Sequence, residues 1–521
     1  MTDRNVVITG MMGSGKSTVA AIVAKNLGKT FLDTDVEIEN RVGKKIADIF
    51  ASLGEAAFRK AEADLCDELS KKSGLVIATG GGFLVPLASQ KKMSNHSVFC
   101  LDASLETLLA RTTNSAHRPL TARMDELLTE RREAYQRIFH HIDTNNKNAA
   151  DIAQEIVNRF KLDETYEADR IRMVCMPHQS PYPIFVKDGV ACEIFARLEW
   201  AGIQAKRLIV ITNEKLKSLV GQNIKGEVEW LTIPEGEKFK SLETVYSLYD
   251  DLIRLKTKRD DVLVALGGGV VGDVAGFVAA TFMRGITLVQ IPTTLLAMVD
   301  SSIGGKTGVD LPQGKNLIGA FKQPLMVLTD PSLLKTLDKE EFSAGMAEVI
   351  KHAIISDDAL FEQLEQKQPV DLQDLIFRAL LVKAKIVEED PFEQGRRSLL
   401  NLGHTFGHAF ETVSGYSMRH GEAVAVGLVA ACELSHHLGL CNASVRSRVE
   451  RVLSHHNLPV RLPPNVGPAN AIYEAFSQDK KATGSGLRFI VLHGLSDVRE
   501  MFVNDRQMLL DVFASVATSL A

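Results

Sequence analysis

A chain of 521 residues is too long for one hydrophobic core and predicts at least two compact domains. With 45% apolar and 24% charged residues it has the composition of an ordinary globular protein, which excludes wholesale disorder. A formal net charge of −5 excludes a general nucleic-acid or membrane-surface role.

The first residues, MTDRNVVITG, combine a charged start with a short strand, and no apolar run long enough to span a bilayer follows, so a cytoplasmic protein is expected. Residues 1–163 alternate apolar runs at 6–9, 75–79 and 97–101 with helical stretches, the rhythm of a parallel sheet with crossover helices. Gly10-Met11-Met12-Gly13-Ser14-Gly15-Lys16-Ser17 follows the first strand and opens a helix over 18–27, which is the context of a P-loop. Gly13, Ser14, Gly15 and Thr18 fall where backbone N–H groups turn inward to cradle phosphates. Lys16 is placed to reach the β- and γ-phosphates, and Ser17 to ligate magnesium.

From 161 to 179 the chain turns charged and aperiodic, and Pro177, Pro181 and Pro183 punctuate the entry to a strand at 184–186. A linker is therefore expected at 164–178. A second α/β rhythm follows, with strands at 207–212, 262–266 and 287–291. Strand signals then nearly vanish until 487–492, while 371–388 and 421–438 carry apolar residues at helical spacing. The predicted architecture is α/β: a P-loop domain over 1–163, a Rossmann-like part expected to bind a cofactor over 179–333 and a mainly helical part over 334–521. Gly267, Gly269 and Gly272 form GxGxxG after the strand at 262–266. The acidic residue that a standard dinucleotide fold places about twenty residues later is missing from 287–294. The six cysteines, Cys66, Cys100, Cys175, Cys192, Cys432 and Cys441, show neither CxxC pairs nor zinc-ribbon spacing and are expected as free thiols.

In the first 160 residues the P-loop is joined by Phe31-Leu32-Asp33-Thr34-Asp35, Gly54-Glu55-Ala56-Ala57-Phe58-Arg59, Gly80-Gly81-Gly82, Arg118-Pro119-Leu120 and Arg131-Arg132-Glu133-Ala134-Tyr135. In combination these motifs resemble the shikimate kinases. The resemblance implies ATP-dependent phosphorylation of the shikimate 3-hydroxyl, with magnesium. It gives Asp33 to the magnesium shell, Asp35 to the substrate hydroxyls, and Arg59 and Arg131 to the substrate carboxylate. Gly81 and Gly82 go to a turn approaching the substrate closely, Arg118 to the transferred phosphoryl group and Arg111 to the adenine side.

Three further runs, PEGEKFK at 234–240, MVDSSIGGKTGVDLPQGKNLIGAF at 298–321 and NLGHTFGHAFETVSGYSMRH at 401–420, point to a second family. With the glycine run they resemble 3-dehydroquinate synthase over roughly residues 180–500. That family uses NAD and a divalent metal, usually zinc, with other transition ions such as cobalt as alternatives. It converts 3-deoxy-D-arabino-heptulosonate 7-phosphate to 3-dehydroquinate and phosphate. The resemblance implies transient oxidation of a secondary alcohol by NAD, loss of phosphate, return of the hydride, ring opening and aldol closure.

By the same resemblance NAD contacts fall on Glu235, Gly236, Glu237, Lys238, Phe239, Lys240, Gly269, Val270, Val271, Gly272, Asp273, Thr293, Thr294, Lys306, Lys315, Leu333, Leu334, Lys335 and Thr336. The metal falls to Glu348, His404 and His420, one carboxylate and two imidazoles that leave positions open for substrate, a set suited to catalytic zinc. The cations Arg284, Lys306, Lys315, Lys351, Lys383, Arg397 and one of Lys480 or Lys481, with Asp300, Asn316 and Asn401, are placed around a doubly anionic substrate. His408 lies one helical turn beyond His404, on the same face, and is a candidate for proton transfer. Catalytic roles are expected of Lys16 and Arg118 in the kinase and of Lys306, Lys351, Lys383 and His408 in the synthase.

Three alternatives stay open at this point: a related sugar-phosphate cyclase, a polyol dehydrogenase of the same NAD-plus-metal fold, and a nucleotide-sensing role for the N-terminal part. Small molecules are the expected partners, without nucleic acid or membrane, and a homo-oligomer through the synthase part is left open.

The stretch from Arg118 to Arg131 is several residues shorter than the lid usual in shikimate kinases. Phosphoryl transfer depends on positioning and charge neutralisation in a site that excludes water. A short lid predicts that purified protein releases ADP from ATP without shikimate. An active kinase with no detectable ADP release in the absence of shikimate would show that the short segment closes adequately.

Overall fold

The computed structural model describes residues 4–112, 123–166, 169–177, 179–369, 371–464, 466, 469–479 and 487–517. The chain divides into two units, one of Met1–Asp169, Cys175–Pro181 and Phe195–Gln204, the other of Arg170–Val174, Tyr182–Ile194 and Ala205–Ala521.

In the first unit β1 (Val6–Gly10), β2 (Thr30–Asp33), β3 (Leu75–Ala78), β4 (Ser97–Asp102) and β5 (His140–Asp143) form a parallel sheet in the order β2-β3-β1-β4-β5. The central strand is buried along its whole length and apolar except at Thr9, because both its faces are covered. Val6 and Ile8 pack with Val19, Val23, Ile156 and Phe160. Val7 faces the other way, towards Ile38, Phe58 and Leu65. At the carboxyl end of β1 the chain passes so near β4 that a Cβ on Gly10 would lie 2.5 Å from the Leu101 carbonyl oxygen. It then turns into the helix Lys16–Leu27. The expected P-loop therefore sits at the carboxyl edge of the sheet, where open α/β folds bind ligands.

The second unit contains β6 (Arg170–Val174), β7 (Tyr182–Val186), β8 (Leu208–Thr212), β9 (Val228–Thr232), β10 (Val262–Gly267), β11 (Thr287–Pro292), the hairpin of β12 (Lys306–Leu311) and β13 (Gly314–Phe321), β14 (Met326–Thr329), and the hairpin of β15 (Leu487–Gly494) and β16 (Asp497–Val503). Seven strands build one sheet in the order β6-β7-β14-β11-β10-β8-β9, parallel except for the antiparallel β6–β7 pair.

The stretch 164–178, expected as a linker, holds the end of the helix Ala149–Thr165 and the whole of β6. Its charges belong to an edge strand: Arg170 and Arg172 alternate with Ile171 and Met173, and pair with Asp371 at 3.2 Å and Glu388 at 2.5 Å. Charge read as linker concealed that period of two.

Beyond β14 the unit is mainly helical. The helix Leu372–Glu389 starts where Asp371 accepts a hydrogen bond from the Asp374 N–H at 3.0 Å. The helix His420–His437 (HGEAVAVGLVAACELSHH) is apolar on every side and buried along most of its length, as expected of a helix at the centre of a bundle. Small residues let its neighbours approach. A Cβ on Gly421 would lie 2.1 Å from the Ala344 carbonyl oxygen on the helix Lys339–Ser356. One on Gly427 would lie 2.1 Å from the Gly403 carbonyl oxygen, where the helix His404–Val413 begins. No helix among the described residues is long and apolar enough to cross a membrane.

Gly427→Val drives a branched side chain into that backbone contact, an overpacking that costs about 1–3 kcal/mol. Calorimetry should show a lower unfolding midpoint for the second unit and an unchanged transition for the first. An unchanged midpoint for the second unit would contradict the close approach of these helices.

Candidate active sites

In the first unit Gly13 and Gly15 take φ of 81° and 94°, a left-handed conformation that glycine adopts without strain. They bring the loop round to the start of the helix. The Lys16 ammonium donates to the Met11 carbonyl at 3.0 Å, folded over the loop. Ser17 Oγ donates to Asp33 Oδ2 at 2.6 Å, while Asp33 Oδ1 accepts from the Asp35 N–H at 3.0 Å and caps the helix Thr34–Val42. Two oxygen ligands of the type magnesium prefers thus meet at the carboxyl edge of the sheet. Ser14 is buried and Thr18 exposed in the first turn of this region.

The glycine turn after β3 brings three other expected residues together. A Cβ on Gly80 would lie 2.3 Å from Asp35 Oδ1, on Gly81 2.9 Å from Arg131 Nη1, and on Gly82 2.1 Å from Arg59 Nη1. Tyr135 donates to the Gly81 carbonyl at 2.7 Å, which fixes the helix Met124–Gln136 carrying Arg131 against the turn. Arg59 is oriented by Glu62 at 2.6 Å and Glu55 at 3.0 Å. Burial raises the Glu62 carboxyl above its ordinary range although Arg59 opposes it. Sequence reasoning missed Glu62, whose signal was its i+3 spacing from Arg59 on one helix. Arg111 donates to the Thr144 hydroxyl at 3.1 Å and carbonyl at 2.8 Å. Arg118 lies outside the described residues.

The second unit holds a cavity of about 1790 Å³. One wall comes from the carboxyl edge of the sheet: Gly269, Val270, Val271 and Asp273 at the start of the helix Gly269–Thr281, Thr293 and Thr294 after β11, and Glu235, Gly236, Glu237 and Lys240 after β9. Lys315 and Asn316 from β13, with Thr336, complete this side. Lys240 holds Asp273 at 2.6 Å and donates to Asn316 Oδ1 at 2.6 Å, tying the sheet edge to the hairpin.

The remaining residues expected at NAD do not line this cavity. Gly272 faces β11, with Gln290 Oε1 3.2 Å from the position of a Cβ. Leu334 is in the core, Leu333 and Lys335 lie beside it in the turn Pro331–Thr336, and Lys238 stacks over the Phe239 ring. Each turn presents only part of its residues to one side, which a contiguous motif cannot convey.

The other wall is built by helices. Glu348, His404 and His420 come from three of them and place ligand atoms within 4.8 Å of one another. Glu348 Oε1 is 3.3 Å from His404 Nε2 and 3.7 Å from His420 Nε2, and the Lys351 ammonium sits against Oε2. Both Glu348 oxygens are buried without a hydrogen-bond partner of good geometry among the described residues, a condition that a bound cation would relieve. The residues present therefore fit a divalent transition metal. Burial opposes charge on Glu348, but Lys351, His404 and His420 outweigh it and hold its carboxyl well below the usual range. Burial and then Lys351 keep His404 neutral, the form that ligates metals. Burial also disfavours the charged form of His420, yet Glu348 and Glu411 raise it to about 9. His408 lines the same cavity, its ring centroid 5.7 Å from that of His404.

A smaller cavity of about 110 Å³ adjoins Asp300, Asn401 and His404 and is lined by Lys306, Lys351, Lys383 and Arg397. Asp300 lies on a π-helical turn, Ala297–Ser301, and accepts from Lys383 at 2.6 Å. Burial lowers the Lys383 ammonium and Asp300 only partly restores it. Lys306 is paired with Glu393, and Arg397 donates to the Gly304 and Pro391 carbonyls at 3.2 and 2.5 Å. Arg284 departs from expectation: it is exposed in a turn with φ of 64° and lines neither of these cavities. Lys480 and Lys481 lie outside the described residues.

Sequence reasoning also missed Glu393, Glu411 and the buried His352, whose Nε2 is 3.8 Å from Asp300 Oδ1. Glu411 had a signal, two helical turns beyond His404. His352 had one too, a helical turn beyond Glu348 on the helix Lys339–Ser356, whereas Glu393 had none, because only tertiary packing brings it to the site.

The shikimate kinase family model matches residues 12–161, and those of the 3-dehydroquinate synthase N-terminal and C-terminal regions match 230–344 and 345–482. A 3-dehydroquinate synthase from Synechococcus sp. is 44% identical over 362 residues, covering 66% of this chain and 98% of that protein. The structure of a 2-epi-5-epi-valiolone synthase from Streptomyces hygroscopicus subsp. jinggangensis, with NAD+ and Zn2+ bound, is 28% identical with a TM-score of 0.59, covering 66% of this chain and 99% of that one. A shikimate kinase from Acinetobacter baumannii, in complex with shikimate, is 34% identical with a TM-score of 0.30, covering 31% of this chain and 96% of that one. The chain belongs to the 3-dehydroquinate synthase family and joins to it an N-terminal shikimate kinase domain, so that one polypeptide carries two activities of the shikimate pathway.

Proposed function

We propose that shikimate lies against the glycine turn at 80–82, with its carboxylate between Arg59 and Arg131 and its hydroxyls at Asp35. The convergence of these three side chains on one turn supports this reading. The P-loop backbone and Lys16 hold the phosphates of ATP, and Ser17 with Asp33 would hold magnesium, which supplies charge neutralisation when bound. Asp35 is the acceptor placed for the proton of the attacking hydroxyl. Arg118 retains its proposed place at the transferred phosphoryl group and Arg111 at the adenine side.

For the second unit we propose that 179–333 holds NAD along the sheet-edge wall and that Glu348, His404 and His420, in 334–521, hold a divalent metal. The observation that carries this is the meeting of three ligand side chains from three helices beside a cavity whose opposite wall is a glycine-rich helix start. Zinc or cobalt would supply Lewis acidity there, and NAD reversible oxidation of one substrate carbon. The chain's own residues bind and orient the substrate. Lys306, Lys351, Lys383 and Arg397 form a cationic recess of the size and sign for a phosphate or carboxylate, and Asn316 and Asn401 offer amides to the substrate hydroxyls. Asp300 keeps Lys383 in place, and His408 faces the cavity where a proton must move. The heptulosonate phosphate carries both anions such a recess calls for.

Lys16→Ala should lower shikimate phosphorylation at least about a hundredfold, since a charge aimed at the transition state is lost. Near-parental turnover would refute the P-loop assignment. A strong zinc chelator in excess magnesium should stop phosphate release from the heptulosonate phosphate while shikimate phosphorylation continues. His420→Ala should lose more than the roughly 10–100-fold typical of residues behind a metal ligand. Full synthase activity of that variant at limiting zinc would refute the metal assignment, and a silenced kinase in the folded variant would refute the independence of the two sites.

A further inference from the structure

We infer that Glu411 is a positioning residue for His420, holding the imidazole by the nitrogen that faces away from the other ligands. The inference rests on the reading of Glu348, His404 and His420 as a metal site.

The His420 ring lies between two carboxylates: Nε2 is 3.7 Å from Glu348 Oε1 and Nδ1 is 3.6 Å from Glu411 Oε1. An imidazole that ligates through Nε2 keeps its proton on Nδ1, and the group facing that proton is Glu411. Such an outer acceptor fixes the tautomer, locks the ring orientation and makes the ligating nitrogen more basic. The companion ligand is seated in a comparable way, with His404 Nδ1 3.3 Å from the Leu402 carbonyl oxygen. Each imidazole therefore has its second nitrogen against an oxygen, one on the backbone and one on Glu411.

A carboxylate as buried as Glu411 needs compensation. On its cavity side Lys315 Nζ is 3.8 Å from Glu411 Oε1 and 3.8 Å from Glu237 Oε1, and it lies over the Tyr416 ring at 5.0 Å. Glu411 thus stands between the metal corner and the hairpin β12–β13 that forms the opposite side of the cavity. Its helix places it there directly, since residues 404, 408 and 411 recur at one face.

Glu411→Gln keeps the shape and an acceptor oxygen but removes the charge, and Glu411→Leu removes both. Full-length proteins are stripped of metal and titrated with zinc against a competing chelator, and the visible absorption of the cobalt-loaded forms is recorded. Shikimate phosphorylation monitors the integrity of the first unit, and unfolding midpoints that of the second. Zinc affinity should fall about 10–100-fold in Glu411→Leu and less in Glu411→Gln, with altered cobalt bands in both. Parental affinity and parental cobalt bands in a folded Glu411→Leu would overturn the inference. Should Glu411→Leu fail to fold, the same result in Glu411→Gln would overturn it. A parent chain that binds no zinc, or a His404→Ala chain that binds it normally, would overturn the metal reading itself, a result distinct from unaltered binding in the Glu411 variants.

Discussion

The second unit is arranged around a buried negative charge, the carboxylate of Glu348. Taking an ionised carboxylate out of water costs several kcal/mol even after relaxation, and the site survives only because cationic and proton-donating groups converge on it. Lys351 comes from the next turn of the same helix, while His404 and His420 come from two others. That convergence requires helix backbones closer than ordinary side chains permit. Gly421 and Gly427 meet it, each placing the helix His420–His437 against a neighbouring carbonyl. The chemistry of the ligands and the smallness of the residues between them are two parts of one constraint.

Both units use the carboxyl edge of a parallel sheet and the start of a helix, but their glycines serve different physical needs. In the P-loop, Gly13 and Gly15 take left-handed φ so that backbone N–H groups can point inward. In the glycine run after β10 the requirement is closeness: a Cβ on Gly267 would lie 2.5 Å from that of Val271. A similar pattern of letters records a conformation in one place and a contact distance in the other.

Electrostatics separate the protein's surface from its sites. The chain as a whole carries −5, yet Lys351 and Lys383 are buried and line one small recess with Lys306 and Arg397. Lysines are rarely withdrawn from water unless paired, and here Glu348 and Asp300 are their partners. On the proposed reading a substrate anion joins a recess whose cations outnumber its carboxylates but whose buried lysines are already paired, which favours selectivity over raw attraction.

The sequence by itself determined the elements with strong local physics. β10 is a continuous apolar run, and β1 a buried run broken only by Thr9, because both faces of a central parallel strand are buried. The helix Lys16–Leu27 follows a phosphate-loop pattern, and apolar residues at helical spacing over 371–388 announce the helix Leu372–Glu389. Resemblance to a known family, carried by those motifs, also nominated Glu348, His404 and His420, whose ligand atoms the fold brings together. Tertiary structure alone decided what depends on long-range approach: that Gly80, Gly81 and Gly82 each face a different charged side chain, that Arg284 lines neither cavity, that a charged stretch taken for a linker is the edge strand β6, and that Glu393 belongs beside the site. The physical reason is common to all of them. Local pattern reports which face of an element is apolar and where it begins, whereas a site is made by the few side chains that packing aims at one point from distant parts of the chain.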